Sequence, residues 1–192
     1  MDQRAIKGQK TYLKIINVTL DIISEEGLSG VSASKVSKGA GISKSSVFHH
    51  FQSVDEILMA TLNIIIDTMI DEKKPEDANS LADVLNSLEC TLFQANSDIT
   101  KMEKAFFAFY NESMFCNSYK EIIENFLKKS IYEFEKTLLR VGIRNAKQLS
   151  QLTIAILDGL SIQIIITGKK EESYEAWQNF KAMALQFYSE DK

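Results

Sequence analysis

The chain has 192 residues, a hydrophobic fraction of 45% and a formal net charge of −4. One proline and eight glycines are typical of a compact, mostly helical chain, and this length allows one large or two small domains. The acidic balance would exclude a nucleic-acid partner only if the charge were evenly spread.

The charge divides between a basic amino-terminal segment and an acidic remainder. Residues 1–53 carry a balance of +3, and residues 54–192 carry −7. Because salt screens electrostatic interactions beyond about 10 Å, a local basic segment is sufficient for DNA binding. Chance asymmetry is the alternative explanation.

The amino-terminal segment begins with a predicted loose basic arm over residues 1–8. The first helix is predicted from Gln9 to Glu26, followed by a break at Gly27. Its apolar face consists of residues at helical spacing, namely Leu13, Ile16, Leu20 and Ile23.

A helix-turn-helix is predicted over residues 32–51. Ser32 is a suitable N-cap for a short helix that ends at Gly39–Gly41, where glycine tolerates a left-handed turn. Ser43 then caps a second short helix. Two short helices around a glycine turn form the unit that places its second helix in the DNA major groove.

The second helix has an inner and an outer side. Val47 and Phe51 share one face and are predicted to anchor it inward. The opposite face is polar, with Lys44 suited to a guanine edge and Phe48 to a thymine methyl group. The predicted DNA-contacting residues are Ser32, Ser34, Lys35, Lys44, Ser45, Ser46, Phe48, His49 and His50. The alternative is an ordinary helical corner with solvated polar residues.

The remainder of the chain is also predicted to be helical. Ser53 and Glu56 form a capping box for a fourth helix that runs to about Lys73, and Pro75 marks the clearest break. Five more helices are predicted near 78–95, 99–115, 118–141, 145–168 and 173–190, with breaks at Asn117-Ser118, Gly142 and Gly168. Strand-like alternation is absent, so the predicted fold is all-α with about nine helices.

Residues 10–62 resemble the amino-terminal domain of TetR-type transcriptional repressors. The resemblance is carried, in order, by Ile22-Ile23-Ser24-Glu25-Glu26-Gly27-Leu28, Val31-Ser32, Val36, Ala40-Gly41-Ile42-Ser43, Val47-Phe48-His49-His50-Phe51 and Ser53-Val54-Asp55-Glu56-Ile57-Leu58. It implies a homodimeric helical repressor of double-stranded operator DNA whose carboxyl-terminal domain binds an inducer. The implied domains are 1–53 and 54–192, with a connecting helix at 54–73.

Two residues depart from the pattern of that family. Phe48 stands where tyrosine is usual, which removes a hydroxyl that could bond a phosphate. Val54 stands where lysine is usual, which removes a phosphate contact. Both departures put phosphate anchoring in doubt at these positions, and neither affects the predicted fold.

The most hydrophobic stretch runs from Leu149 to Thr167. Asp158, Gln151 and Gln163 interrupt it, which argues against a membrane span. A helix that is apolar nearly all round must be covered on both sides, by the core and by a partner chain. The predicted dimer interface consists of Leu152, Ile156, Gly159, Leu160, Gln163, Trp177, Phe180, Ala184 and Phe187. Burial within a monomer is the alternative.

An aromatic and methionine-rich segment is the candidate ligand site, for an apolar or amphipathic small molecule. The predicted ligand-binding residues are Phe93, Met102, Phe106, Phe107, Tyr110, Asn111 and Met114. Ordinary core packing is the alternative explanation for the same stripe.

The cysteines, the histidines and the remaining motifs indicate no catalytic, metal-binding or cofactor-binding site. Cys90 and Cys116 are predicted to be small packing residues in a reduced cytoplasm, with a redox disulfide as the alternative. Neither a metal site nor a cofactor motif is found, and both histidines belong to the recognition helix, so catalysis is not expected. The rival function is a helical ligand-sensing or protein-binding module without sequence-specific DNA binding.

Overall fold

The computed structural model describes residues 3–72, 78–93 and 97–189, and within these ranges its secondary structure consists of helices joined by turns and loops, with no strand. The all-α prediction with nine helices is confirmed. The helices are α1 (Gln3–Glu26), α2 (Ala33–Gly39), α3 (Lys44–His50), α4 (Val54–Glu72), α5 (Leu81–Phe93), α6 (Ser97–Glu112), α7 (Asn117–Arg140), α8 (Ala146–Thr167) and α9 (Lys170–Ser189), with a 3-10 turn at Leu28–Gly30.

Helix α1 begins at Gln3, six residues before the predicted start. The loose arm predicted over residues 1–8 is therefore wrong for residues 3–8, and residues 1–2 lie outside the described part. Extending an existing helix adds one hydrogen bond per residue without a nucleation cost, so a long stable helix propagates through Gly8. The buried face comprises Ile15, Ile16 and Ile23, whereas Leu13, predicted to be buried, is 43% exposed.

The chain forms two compact units, each with its own core. The first unit comprises Met1–Thr68 and Lys101–Lys120, and the second comprises Met69–Thr100 and Glu121–Lys192. Helix α4 passes from the first unit into the second, and most of α6 belongs to the first unit together with the helix-turn-helix. The division at residue 53 remains a prediction.

Helix α4 begins with a modified capping box. The Ser53 hydroxyl accepts a hydrogen bond from the Glu56 backbone N–H at 3.1 Å, as predicted. The Glu56 carboxylate, however, accepts the N–H of Gln52, the residue before the cap, and not that of Ser53.

Helix α5 begins with the same arrangement, which the sequence analysis missed. Ser80 accepts from the Asp83 N–H at 3.2 Å, and the Asp83 carboxylate accepts from the Asn79 N–H at 3.1 Å. Hydrogen bonds to the carboxylate, first from the Ser80 side chain and then from the Asn79 N–H, lower the pKa of Asp83. The acidic group also lies favourably in the first turn of the helix.

The core of the second unit brings together α5, α7, α8 and α9. Its fully buried side chains include Leu85, Leu138, Leu149 and Trp177. Gly142 and Gly168 adopt left-handed backbone conformations, with φ of 88° and 69°, and mark the ends of α7 and α8. Both predicted breaks are confirmed.

Four polar side chains of α9 surround Glu89 of α5. Its carboxylate accepts hydrogen bonds from Gln178 Nε2 at 2.7 Å, Lys181 Nζ at 2.8 Å and Trp177 Nε1 at 3.2 Å, and from the Tyr174 hydroxyl at 3.4 Å. Burial raises the pKa of Glu89, but the bonds from Lys181 and Gln178 outweigh it and leave the pKa lowered. The network joins α5 to α9 in the second unit.

Candidate nucleic-acid interface and effector cavity

The helix-turn-helix is formed by capping and turn residues acting locally. The Ser32 hydroxyl accepts a hydrogen bond from the Lys35 N–H at 3.3 Å, and the Ser43 hydroxyl accepts from the Ser46 N–H at 3.1 Å. Between α2 and α3, Gly41 has a φ of 60°, which L side chains rarely adopt. Both predicted caps and the glycine turn are confirmed.

The inner side of α3 is fixed by two apolar residues. Val47 is fully buried and Phe51 is 3% exposed, as predicted. The ring of Tyr12 on α1 stacks on that of Phe51 with centroids 5.0 Å apart. On the neighbouring helix, a Cβ at Gly39 would lie 2.6 Å from Val18 Cγ1, so only glycine permits this approach of α1 and α2.

The outer side of α3 presents side chains suited to the major groove. Lys44, Ser45 and His49 are exposed, and the Phe48 ring is 49% exposed although it is apolar. His50 is half-buried and meets His49 edge to face, with ring centroids 5.5 Å apart. A cation, a hydroxyl, a ring and an imidazole therefore share one accessible surface.

Other predicted DNA-contacting residues already have partners within the protein. The Lys35 ammonium forms an ion pair with Glu26, and both side chains are about half exposed. The Ser43 hydroxyl lies 2.8 Å from that of Ser45 and 2.9 Å from that of Ser46. Ser34 is exposed, whereas the half-buried Ser32 uses its hydroxyl in the cap.

The second unit contains a cavity of about 550 Å³, which fits a small organic molecule. Its walls come from the end of α4 and from α5, α7 and α8. The apolar lining residues are Met69, Ile70, Leu88, Phe126, Leu127, Phe134, Ile154 and Leu157. The polar lining residues are Lys129, Ser130, Glu133, Lys136, Thr137, Arg140 and Asp158.

The charged groups of this cavity differ in exposure. Glu133 and Asp158 are half-buried, whereas Lys129, Lys136 and Arg140 are exposed. Glu133 pairs with Lys136 at 3.4 Å. Asp158 is the single acidic residue of α8, and it lies on the cavity wall.

None of the seven predicted ligand-binding residues lines this cavity. Phe106 is 1% exposed, in agreement with the core-packing alternative, whereas Asn111 is exposed in the last turn of α6 and Met114, just after α6, is 66% exposed. Phe93 packs edge to face against Tyr174. The signal that was missed is the stripe Phe126, Ser130, Phe134 and Thr137, which mixes aromatic and polar residues at helical spacing. Met102, Phe107 and Tyr110 are half-buried on α6.

The predicted dimer residues fall into two groups. Leu160, Trp177 and Ala184 are 6%, 0% and 3% exposed and belong to the core of the second unit, so their assignment to a partner-facing surface is wrong. Helical periodicity marks apolar residues but does not say whether the chain itself covers them. Ile156 and Phe180 are partly buried against the same core.

The other group faces outward. Leu152 is 52% and Phe187 is 70% exposed, and Gln163 is exposed. A Cβ at Gly159 would meet nothing within 4 Å, so the helix surface there is open. The structure adds Ile166 and Met183, which are 76% and 68% exposed.

The cysteines do not match the predicted packing role. Cys90 is exposed and Cys116 is half-buried, and both thiols are free. Cys116 directly precedes α7, and its sulfur lies 3.2 Å from the Ser118 hydroxyl. Hydrogen bonds from Ser118 and from the Tyr119 backbone lower the pKa of this thiol.

With this geometry established, comparison with known proteins identifies the family. A family profile described as "Bacterial regulatory proteins, tetR family" matches residues 15–61, the segment that contains the helix-turn-helix. The chain carries a TetR-family DNA-binding domain. It is therefore a DNA-binding transcriptional regulator, and the resemblance seen in the sequence is confirmed.

The similarity to transcriptional regulators extends beyond the helix-turn-helix segment. The HTH-type transcriptional regulator PksA of Bacillus subtilis (strain 168) is 24% identical over 170 residues, which cover 85% of this chain and 82% of PksA. A transcriptional regulator from Rhodococcus sp. Rha1 superposes with a TM-score of 0.81 at 24% identity, covering 91% of this chain and 96% of that chain.

A further structural relative was solved with a small molecule. It is a putative transcriptional regulator from Saccharomonospora viridis in complex with choline, with a TM-score of 0.79 at 17% identity. The match covers 93% of this chain and 97% of that chain. At this identity the similarity establishes the shared fold.

Proposed function

We propose that this TetR-family regulator is a repressor that binds a near-palindromic operator as a homodimer and is released by a small apolar or amphipathic molecule. The observation that carries the proposal is the recognition helix α3, held inward by Val47 and Phe51 and exposing Lys44, Phe48 and His49. Two such helices related by a twofold axis enter successive major grooves, 34–36 Å apart.

The homodimer is supported by the exposed apolar residues of α8 and α9. Leu152 and Ile166 on α8, and Met183 and Phe187 on α9, are each more than half exposed. Only 28% of the most apolar window of α8 is buried, so part of this helix is left open by its own chain. Exposed apolar surface of this kind marks a protein or membrane contact.

Helix α8 is also long and apolar enough to cross a membrane, the one such helix in the described residues. We favour a second copy of the chain, because Asp158 interrupts α8 and because the relatives matched over most of the chain are named HTH-type transcriptional regulators. The protein would then act in the cytoplasm as a regulator without catalytic activity.

The effector is proposed to bind in the cavity of the second unit. Eight apolar side chains provide a hydrophobic lining, and the half-buried carboxylates of Glu133 and Asp158 provide polar contacts. The choline complex of the Saccharomonospora viridis relative supports a small amphipathic effector, with the positively charged class included.

Helix α4 is a continuous helix that begins just after the helix-turn-helix and ends at the proposed effector cavity. Three residues separate the end of α3 from Val54, the first residue of α4. The later α4 residues Met69 and Ile70 line the cavity. A ligand that favours one position of α4 changes the presentation of α3. By linkage, DNA must weaken ligand binding by the same factor as ligand weakens DNA binding.

The proposal is tested by footprinting the dimer on the DNA that flanks its own coding region, with a transcription assay on the same fragment. Protection of a symmetric site and reduced transcription are expected. A site at which bound protein increases transcription would replace repression by activation, and the absence of any protected site would contradict the proposal.

The effector site is tested separately by thermal shift with choline and with larger amphipathic amines, alcohols and carboxylates. Leu157→Trp should obstruct the cavity and abolish the shift while leaving DNA binding intact. A shift that persists in this variant would place the effector elsewhere.

A further inference from the structure

We propose that Lys7, Lys10 and Lys14 of α1 form a second DNA contact, which binds phosphates beside the major groove read by α3. The inference rests on the DNA-binding function and adds to it. These lysines lie outside the helix-turn-helix, and their role follows from the unexpected helical start of α1 at Gln3.

The three lysines occupy one side of α1. At 100° per residue, positions 7, 10 and 14 fall within about 60° of one another around the helix axis. The hydrogen bond from the Thr11 hydroxyl to the Lys7 carbonyl, at 3.0 Å, shows that the helix is regular here. All three side chains are exposed.

This side of α1 is the side that meets the helix-turn-helix. Val18 lies one turn beyond Lys14 on the same side, and its Cγ1 approaches Gly39 of α2. The Lys14 ammonium lies 3.9 Å from the position that a Cβ on Gly41 would take. Since Gly41 immediately precedes the N-cap region of α3, Lys14 places a positive charge next to the start of the recognition helix.

The charge pattern of α1 indicates a partner outside the chain. Residues 3–20 contain four basic residues and no acidic ones, and the acidic residues of the helix begin at Asp21. Among the described residues, none of the three lysines forms an ion pair.

The spacing suits the DNA backbone better than base edges. Lys7 and Lys14 are separated by about 10 Å along the helix axis, since each residue adds 1.5 Å. Long flexible ammonium groups on such a line act as point charges for phosphates and carry no sequence information. We therefore expect the three lysines to increase affinity equally on operator and on other duplexes.

The test is the salt dependence of binding to duplex DNA by K7Q/K10Q and by K14Q, each measured by fluorescence anisotropy. The matched controls are K104Q/K120Q for the double variant and K104Q for K14Q, each of which removes the same charge from exposed lysines of the first unit. Each lost phosphate contact should reduce the slope of log Kobs against log [salt] by about 0.9. Between 50 and 200 mM salt, K7Q/K10Q should therefore lose about tenfold less affinity than its control does.

The outcomes separate this inference from the proposed function. Slopes of K7Q/K10Q and K14Q equal to those of their controls overturn the inference while wild-type DNA binding stands. A wild-type protein that binds no duplex at low salt overturns both. A loss confined to the operator, with unchanged binding to other duplexes, would assign these lysines to base recognition and also contradict the inference.

Discussion

The ring of Tyr12, in the first half of α1, stacks on Phe51, the residue that ends the recognition helix, with 5.0 Å between centroids and 25° between planes. This contact orients α3 relative to the longest helix of the first unit. Phe51 and Phe48 are three residues apart but differ completely in exposure, at 3% and 49%.

The two phenylalanines predict opposite mutant phenotypes. Phe51→Ala should lower the free energy of unfolding by about 3–5 kcal/mol, because it leaves a cavity in the core. Phe48→Ala should change it by no more than about 0.5 kcal/mol but weaken operator binding. Urea denaturation measures the free energy of unfolding of both variants, and fluorescence anisotropy measures their operator binding. Similar stability losses in both would mean that the Phe48 ring is packed in solution.

Lys44 is expected to carry base recognition. Lys44→Ala should abolish the preference of the protein for operator over unrelated duplex. Each bidentate contact to guanine that is lost removes about 1–3 kcal/mol of discrimination. Helix content and oligomeric state should not change, because Lys44 is exposed at the first position of α3. Lys120→Ala serves as the control. Wild-type discrimination in the Lys44 variant would show that base recognition does not depend on Lys44, and a wild-type protein without any such preference would favour a module without sequence-specific DNA binding.

Val54→Lys should restore the phosphate contact that the departure from the family pattern removes. Val54 is half-buried at the first position of α4, just after the recognition helix. We expect tighter DNA binding and a salt slope steeper by about 0.9 per added contact, measured as a titration over salt concentration. An unchanged slope would place residue 54 away from the backbone.

The Glu89 network predicts a pH dependence of stability. Because the pKa of Glu89 is lowered below its usual value of 4.5, its contribution is fully present above about pH 4.5 and is lost as the pH falls through the folded-state value. Glu89→Gln should therefore reduce the fall in the free energy of unfolding as the pH becomes acidic. Urea denaturation at a series of pH values measures this. Glu175→Gln, exposed on α9, is the matched control, and an equal effect in both variants would refute the assignment.

The exposed residues of α8 and α9 predict the oligomeric state. Leu152→Glu together with Phe187→Glu should convert the dimer to a folded monomer, because both side chains are exposed in the single chain and a charge there opposes apolar contact. Light scattering coupled to size exclusion measures this, with Leu139→Glu, exposed on α7, as the control. A dimer that survives the double substitution would require another interface.

The sequence predicted the reading domain well because its signals are local. Ser43 and Gly41 act within a few residues of their own positions, and the inward side of α3 follows from the three- and four-residue spacing of Val47 and Phe51. The start of α1 was missed because Gly8 weakens the local signal, whereas the long helix that follows propagates through it.

The cavity and the interface depended on long-range packing. The cavity lies among α4, α5, α7 and α8, and no local pattern told which aromatic stripe would line it. The pattern in α9 likewise could not distinguish Trp177, which its own core covers, from Phe187, which remains exposed. Periodicity identifies the apolar face of each helix but does not identify the element that packs against that face.

The central claim is that a homodimer reads DNA with two copies of α3, and selection of bound duplexes from a random pool tests it most directly. The account predicts a near-palindrome with half-site centres about one helical turn, or 34–36 Å, apart. Under the same conditions Lys44→Ala should recover no consensus. A single asymmetric half-site, or no enrichment by the wild-type protein at low salt, would contradict the claim.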